Sequence, residues 1–204
     1  IYSLAKLAQS RDDEMGRHVE RVQTYCQALA QKLKDEVIYP AEVNKEFIHN
    51  IFFATSLHDI GKVGIQDSIL LKPAKLTKQE FDVMKTHTVI GHETLLKTRE
   101  KCTENGFIEM GLEITRSHHE RWDGSGYPDG LAGEAIPLSA RIMAIADVYD
   151  ALRSKRVYKD AYSHERSVEI IGAESGKQFD PKLVDVFLEM EETFEEIYSE
   201  IQDG

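Results

Sequence analysis

Two cysteines among 204 residues, Cys26 and Cys102, are too few for a disulfide framework, and both are expected to stay reduced in a cytoplasmic protein. Long hydrophobic runs are missing as well. The longest nearly apolar stretches, residues 51–57 and 140–146, fall far short of the ~20 residues that cross a bilayer, so no membrane insertion is expected. Basic charge is scarce: 25 Lys and Arg against 36 Asp and Glu leave a net charge of −11, which argues against binding a nucleic-acid polymer. No secretory pattern and no initiator Met open the chain, so it is expected to be a fragment of something longer. Runs of alternating polarity, internal repeats and low-complexity segments are also absent. What is there, 41% hydrophobic and 30% charged residues, suits one globular domain or at most two small ones.

Helical periodicity fills most of that length. Val19, Val22, Cys26, Leu29, Ala30 and Leu33 form one apolar stripe, and residues 46–57 predict a second, buried helix. Thr77 followed by Glu80 is a capping-box pattern that opens a helix predicted to run to about Lys97. Further helices are predicted near residues 108–117, 139–152, 164–171 and 181–201, the last with Asp180 as its cap and Pro181 in its first turn. The fold class is therefore all-α. Seven acidic and no basic residues occupy the last sixteen positions, and the ordinary reading of that run is a solvated end of a terminal helix. Residues 61–73 and 122–137 break the pattern; the second holds four glycines and two prolines, with Trp122, Tyr127, Leu131 and Ile136 favouring an ordered loop.

Eight histidines stand in informative company. His58-Asp59 closes the apolar helix just ahead of Gly61 and Lys62; His118-His119-Glu120 closes another, immediately before the glycine-rich loop. Asp147 lies within an apolar run, where an unpaired carboxylate is costly. Glu14 and His18, four apart, share a helical face, and His87 falls inside the predicted 77–97 helix. Imidazole and carboxylate without thiolate is the ligand set of divalent Fe, Mn, Zn or Co. Neighbouring side chains on a helix diverge by about 100°, so His-Asp and His-His pairs suit two or more ions, with a carboxylate bridging and each histidine facing a different ion. Two ions ~3.5–4 Å apart would generate a bridging hydroxide for in-line attack at phosphorus, and Lys62 would neutralise the developing charge.

Singly, these residues have ordinary explanations. A histidine such as His87 is commonly a packing residue, Glu14 is a plausible partner of Arg11 or Arg17, and Asp147 of Arg141 or Arg153. Asp150 is read as a structural acid of that kind, and His49, His92 and His164 as structural histidines. Joint occurrence at helix ends around one loop lifts the rest.

The segments HDIGKVGI (58–65), HHERWDGSGYPDGLAGEAIPLSARIMAIADVYDAL (118–152) and SGKQFDPKLV (175–184) resemble the HD-GYP family of metal-dependent phosphohydrolases, which cleave cyclic di-GMP. The resemblance spans essentially the whole chain and implies one domain over residues 1–204, an HD-type helical bundle with the metal centre in its core and the 122–137 loop at its mouth. It implies metal ligands at His18, His58, Asp59, His87, His118, His119 and Asp147, with Asp59 bridging and Glu14 completing the site where a third ion is bound. Lys62 matches the phosphate-contacting lysine, Gly126 and Tyr127 belong to the loop that names the family, and Arg156 and Lys159 match cyclic-dinucleotide contacts.

The implied activity is hydrolysis of cyclic di-GMP to pGpG, with a final product of either pGpG or GMP, and with two or three divalent ions, Fe or Mn. Two ions, Asp59, Asp147 and a hydroxide leave one net positive charge, enough to draw a phosphodiester into an acidic protein. Other readings stay open: hydrolysis of another cyclic dinucleotide such as cyclic GMP-AMP, or a signalling module that binds nucleotide or a GGDEF-type diguanylate cyclase with little turnover. A homodimer and a missing N-terminal sensor or receiver domain are compatible with all of them. Residues 97–106 form a longer polar stretch than the family pattern has, expected to be a surface excursion, and His92 stands where that pattern asks for no histidine.

Overall fold

The computed structural model describes residues 17–100, 105–154 and 161–202. Helix α1 (His18–Asp35) buries the stripe read from the sequence, Val22, Cys26, Leu29, Ala30 and Leu33, together with Tyr25. Asn44 caps α2 (Lys45–Ala54) by accepting the Phe47 N–H at 2.9 Å. Beyond Ala54 the chain tightens into two 3₁₀ turns, Thr55–Leu57 and Ile60–Gly64, with His58 and Asp59 held between them. A single turn, α3 (Asp67–Leu70), follows.

The capping box at Thr77 and Glu80 opens α4 (Lys78–Lys85), but the helix stops there. Thr86 folds back on Val83, its hydroxyl and its amide both donating to that carbonyl (2.6 and 3.0 Å), and α5 (His87–Arg99) follows. The helix predicted over 77–97 is thus two helices, and His87 opens the second. A tertiary contact decides this. A Cβ placed on Gly61 would lie 1.9 Å from the His87 carbonyl oxygen and 2.6 Å from the Gly91 nitrogen, so the 60–64 turn and the first turns of α5 meet backbone to backbone.

Asn105 caps α6 (Gly106–Ser117), and after the long loop α7 (Leu138–Arg153) runs through the middle of the molecule, with residues on nearly every face buried. Helices α8 (His164–Ala173), α9 (Pro181–Glu189) and α10 (Glu191–Glu200) close the bundle. Asp180 and Pro181 start α9 as the sequence indicates, yet the predicted 181–201 helix breaks at Met190. Aromatic packing accompanies the break: Phe194 stacks on Tyr25 (4.6 Å, 3°) and stands edge-on to Phe187 (4.9 Å, 90°). The main core joins α1, α2, α6, α7, α8, α9 and α10, while Leu57, Leu95, Ile108 and Leu112 make a smaller cluster between the 55–57 turn, α5 and α6. Among the described residues there is no strand, only one isolated bridge between Ser175 and Phe179. The fold is all-α, as the periodicity indicated.

Candidate metal centre

Three buried imidazoles are aimed by the backbone. Nδ1 of His58 donates to the Thr55 carbonyl (2.8 Å), Nδ1 of His87 to Met84 (2.8 Å) and Nδ1 of His118 to Ile114 (2.9 Å). Each ring is thereby fixed as the tautomer whose Nε2 carries the lone pair. Those Nε2 atoms are buried and have no hydrogen-bond partner, an arrangement that costs free energy unless a Lewis acid meets them. All three face Asp59. His58 Nε2 is 3.1 Å from Oδ2, whereas His87 and His118 Nε2 are 3.3 and 3.8 Å from Oδ1.

Two groups result, each able to hold a divalent ion: Asp59, His87, His118 and His119, and beside it His18, His58 and Asp147. In each group the ligand atoms lie within 4.8 Å of one another. Seven of the expected metal ligands are therefore assembled from five separate stretches of chain. One expectation fails. His118 and His119 face the same group rather than different ions, because α6 ends at Ser117 and the 100° helical divergence no longer applies in the turn that follows. His58 and Asp59 do separate, one into each group.

Electrostatics keep protons off the members of the first group at neutral pH. Burial, reinforced by neighbouring imidazoles, pushes His118 well below its usual value and His119 down to about 3; burial also lowers His87. Burial alone would raise Asp59, but Lys62, His58 and His87 hold it well below the carboxylate range. For His58 the same desolvation is outweighed by Asp59 and Asp147, and its value rises. Lys62, on the Ile60–Gly64 turn, brings its ammonium 2.9 Å from Asp59 Oδ2 at the rim of the centre.

The glycine-rich loop is ordered and forms one wall. The buried Glu120 carboxylate accepts the backbone N–H groups of Asp129, Gly130 and Leu131 (2.7, 3.1 and 3.1 Å). Trp122 and Asp123 bond the backbone of Gln178 and Lys177, and Arg116 grips Asp129 with two bonds of 2.7 Å. Tyr127 tilts over His119 (4.8 Å between ring centres) and meets the half-exposed Phe81 edge-on at 6.1 Å; the Lys85 ammonium lies 5.6–5.9 Å from both rings.

A protein-family model described as an HD domain matches residues 3–183. The chain belongs to the HD-domain family. The HD domain is 49% identical over its full length to a cyclic di-GMP phosphodiesterase of Vibrio cholerae, covering 42% of that protein. It is 43% identical over its full length to a 3'3'-cGAMP-specific phosphodiesterase of the same organism, covering 36% of it. Over 98% of its length it is 40% identical to a cyclic di-GMP phosphodiesterase of Thermotoga maritima. The chain thus spans less than half the length of the two Vibrio relatives. Among solved structures, a cyclic GMP-AMP specific phosphodiesterase of Vibrio cholerae superposes with a TM-score of 0.63 at 22% identity, over 95% of this chain and 49% of that one; it shares the fold.

Within this HD domain, Glu14, Arg156 and Lys159 lie outside the described residues. Gly126 presents backbone: a Cβ there would sit 2.3 Å from the Arg121 nitrogen, which is reason enough for glycine. His92 bonds the Leu112 carbonyl and His164 pairs with Tyr149, both outside the two groups. Arg141 pairs with Asp180 and Arg153 with Glu195, so neither engages Asp147 as the ordinary reading had it. The backbone grip of Glu120 and the tie between His18 and Asp150 (2.8 Å) escaped sequence reasoning; only the place of Glu120, directly behind the His-His pair, signalled it.

Proposed function

We propose that this HD domain is a metal-dependent phosphodiesterase that hydrolyses cyclic di-GMP, with pGpG as the first product. The observation that carries the reading is the convergence of three unpartnered, buried imidazole Nε2 atoms on both oxygens of one carboxylate. It supports two ions with Asp59 between them, and an imidazole–carboxylate set without thiolate suits Fe or Mn. Bound divalent ions would supply a nucleophile from water at neutral pH and relieve charge on the phosphoryl oxygens.

The chain's own residues supply the rest. Lys62 adds a positive charge at the rim, where the departing and non-bridging oxygens gather electron density. Tyr127 and Phe81 line an aromatic wall beside His119 of a size to meet a purine base. The 49% identical relative named for cyclic di-GMP supports the choice of substrate. A cytoplasmic location, where Cys26 stays a thiol, and a GGDEF-type cyclase as partner go with this reading. A homodimer is not needed to complete either group, since every ligand comes from one chain.

The 43% identical relative named for cGAMP supports a second reading, preference for cyclic GMP-AMP. Elemental analysis of anaerobically purified protein, with chromatography of cyclic di-GMP and cyclic GMP-AMP reactions at equal concentration, tests both. Two or three Fe or Mn per chain with pGpG or GMP formed from cyclic di-GMP is the expected result. Faster loss of cyclic GMP-AMP reverses the substrate assignment, and a loaded protein that turns over neither reverts to a binding module.

A further inference from the structure

Of the imidazoles in the centre, His18 is aimed differently. His58, His87 and His118 hand their Nδ1 protons to carbonyls three or four residues back in their own segments. His18 opens α1. Its Nδ1 lies 2.8 Å from Asp150 Oδ2, on α7 and 132 residues away. Asp150 is almost wholly buried and is itself clamped: Arg21 Nε donates to Oδ1 (2.5 Å), Arg21 Nη2 to Oδ2 (3.0 Å) and Ser154 Oγ to Oδ2 (3.4 Å). Arg21 is fixed in turn by the Ile201 carbonyl (3.2 Å) and lies over the Tyr198 ring at 5.4 Å.

We infer that Asp150, clamped by Arg21, is a positioning residue for the ion held by His18, His58 and Asp147. The inference rests on the two-ion reading of the centre. A carboxylate held by two Arg21 N–H donors and the Ser154 hydroxyl can only accept, so the His18 proton sits on Nδ1 and Nε2 keeps its lone pair on the side of Asp147 Oδ1, 3.6 Å away. Asp150 therefore does more than neutralise an arginine. It sets which nitrogen of His18 is available, and it ties that nitrogen to the end of α10 through Arg21.

The substitution Asp150→Asn separates the two roles. With its amide oxygen in the place of Oδ1 it keeps the Arg21 Nε donor, while its N–H₂ in the place of Oδ2 gives up the Nη2 bond and turns on His18, forcing that proton to Nε2. Imidazole ¹⁵N spectra of the metal-stripped wild type are expected to show His18 protonated on Nδ1, with Asp150→Asn moving it to Nε2. Equilibrium dialysis against Mn²⁺ is expected to show two ions in the wild type; in the variant one site weakens by about 10–100-fold and the other is unchanged. A merely structural Asp150 would lower the melting temperature while leaving tautomer and both affinities alone, and that result overturns the inference. Should the variant not fold, the wild-type spectrum still decides: His18 protonated on Nε2 overturns it. A wild type that takes up no Mn²⁺ removes the two-ion reading along with the inference, whereas two ions bound equally by both proteins removes the inference alone.

Discussion

Asp59 offers one oxygen to each group of imidazoles, so its loss uncouples both. Asp59→Ala is expected to abolish turnover and lower metal content, read by product chromatography and elemental analysis; full activity at native metal content would refute the assignment. Lys62→Ala leaves both groups intact and is expected to lower kcat by about 10²–10³-fold with metal content unchanged. Acid should act on the metal-free protein through the histidines. His87, His118 and His119 are lowered by burial, so below about pH 6.5 the unfolded chain binds more protons than the folded one and stability is lost as pH falls, for His119 down to about 3. Asp59, also lowered, adds a loss with the same sign at lower pH; His58, raised, contributes stability below 6.5 that disappears as pH rises. Three histidines against one make acid the net destabiliser, and thermal melts of chelator-treated protein between pH 7 and 4.5 measure it.

Helix ends and the turns beside them make most of this site, with Asp147 coming from the middle of α7. The residues that converge here were legible in the sequence through the resemblance carried by the His-Asp and His-His pairs and the glycine-rich loop. Their grouping was not, because a fixed 100° per residue was carried past Ser117, where the helix stops. The breaks at Thr86 and Met190 were hidden for a related reason: local propensity runs through both, and contacts distant in sequence override it. Gly61 is where this shows most plainly. Gly61→Ala puts a methyl group into the His87 carbonyl, and because backbone cannot yield as a side chain does, about 3 kcal/mol of stability and most bound metal are expected to go together. Glu120 acts on the loop alone. Glu120→Gln replaces one accepting oxygen by a donor facing backbone N–H groups, at a cost of about 1–3 kcal/mol. Its signature is a lower melting temperature and a higher KM with metal content retained.

At the scale of the whole molecule, ions bound only by the folded chain stabilise it by mass action. At free metal 100-fold above Kd each contributes about 2.7 kcal/mol, so chelation is expected to lower Tm by roughly 5–11 °C per ion, seen by calorimetry with and without chelator. The all-α class was legible because period-3.6 stripes dominate; which helices enclose which cluster was not, since that depends on pairings such as α1 with α7 that no local pattern encodes. The acidic tail illustrates the difference: it is a solvated face, as charge suggested, yet it also delivers Phe194 to the core and, past its end, the Ile201 carbonyl to Arg21.

The two groups also differ in when a growing chain can complete them. Asp59, His87, His118 and His119 come from segments bordering the small cluster of Leu57, Leu95, Ile108 and Leu112, all made before α7 exists. His18 and His58 must wait for Asp147, on the helix around which the main core packs. Synthesis from the N-terminus therefore gives the centre a sequence of assembly. The ribosome delivers the residues of one group early, and those of the second are complete only once the central helix has been made, still ahead of the three helices that close the bundle.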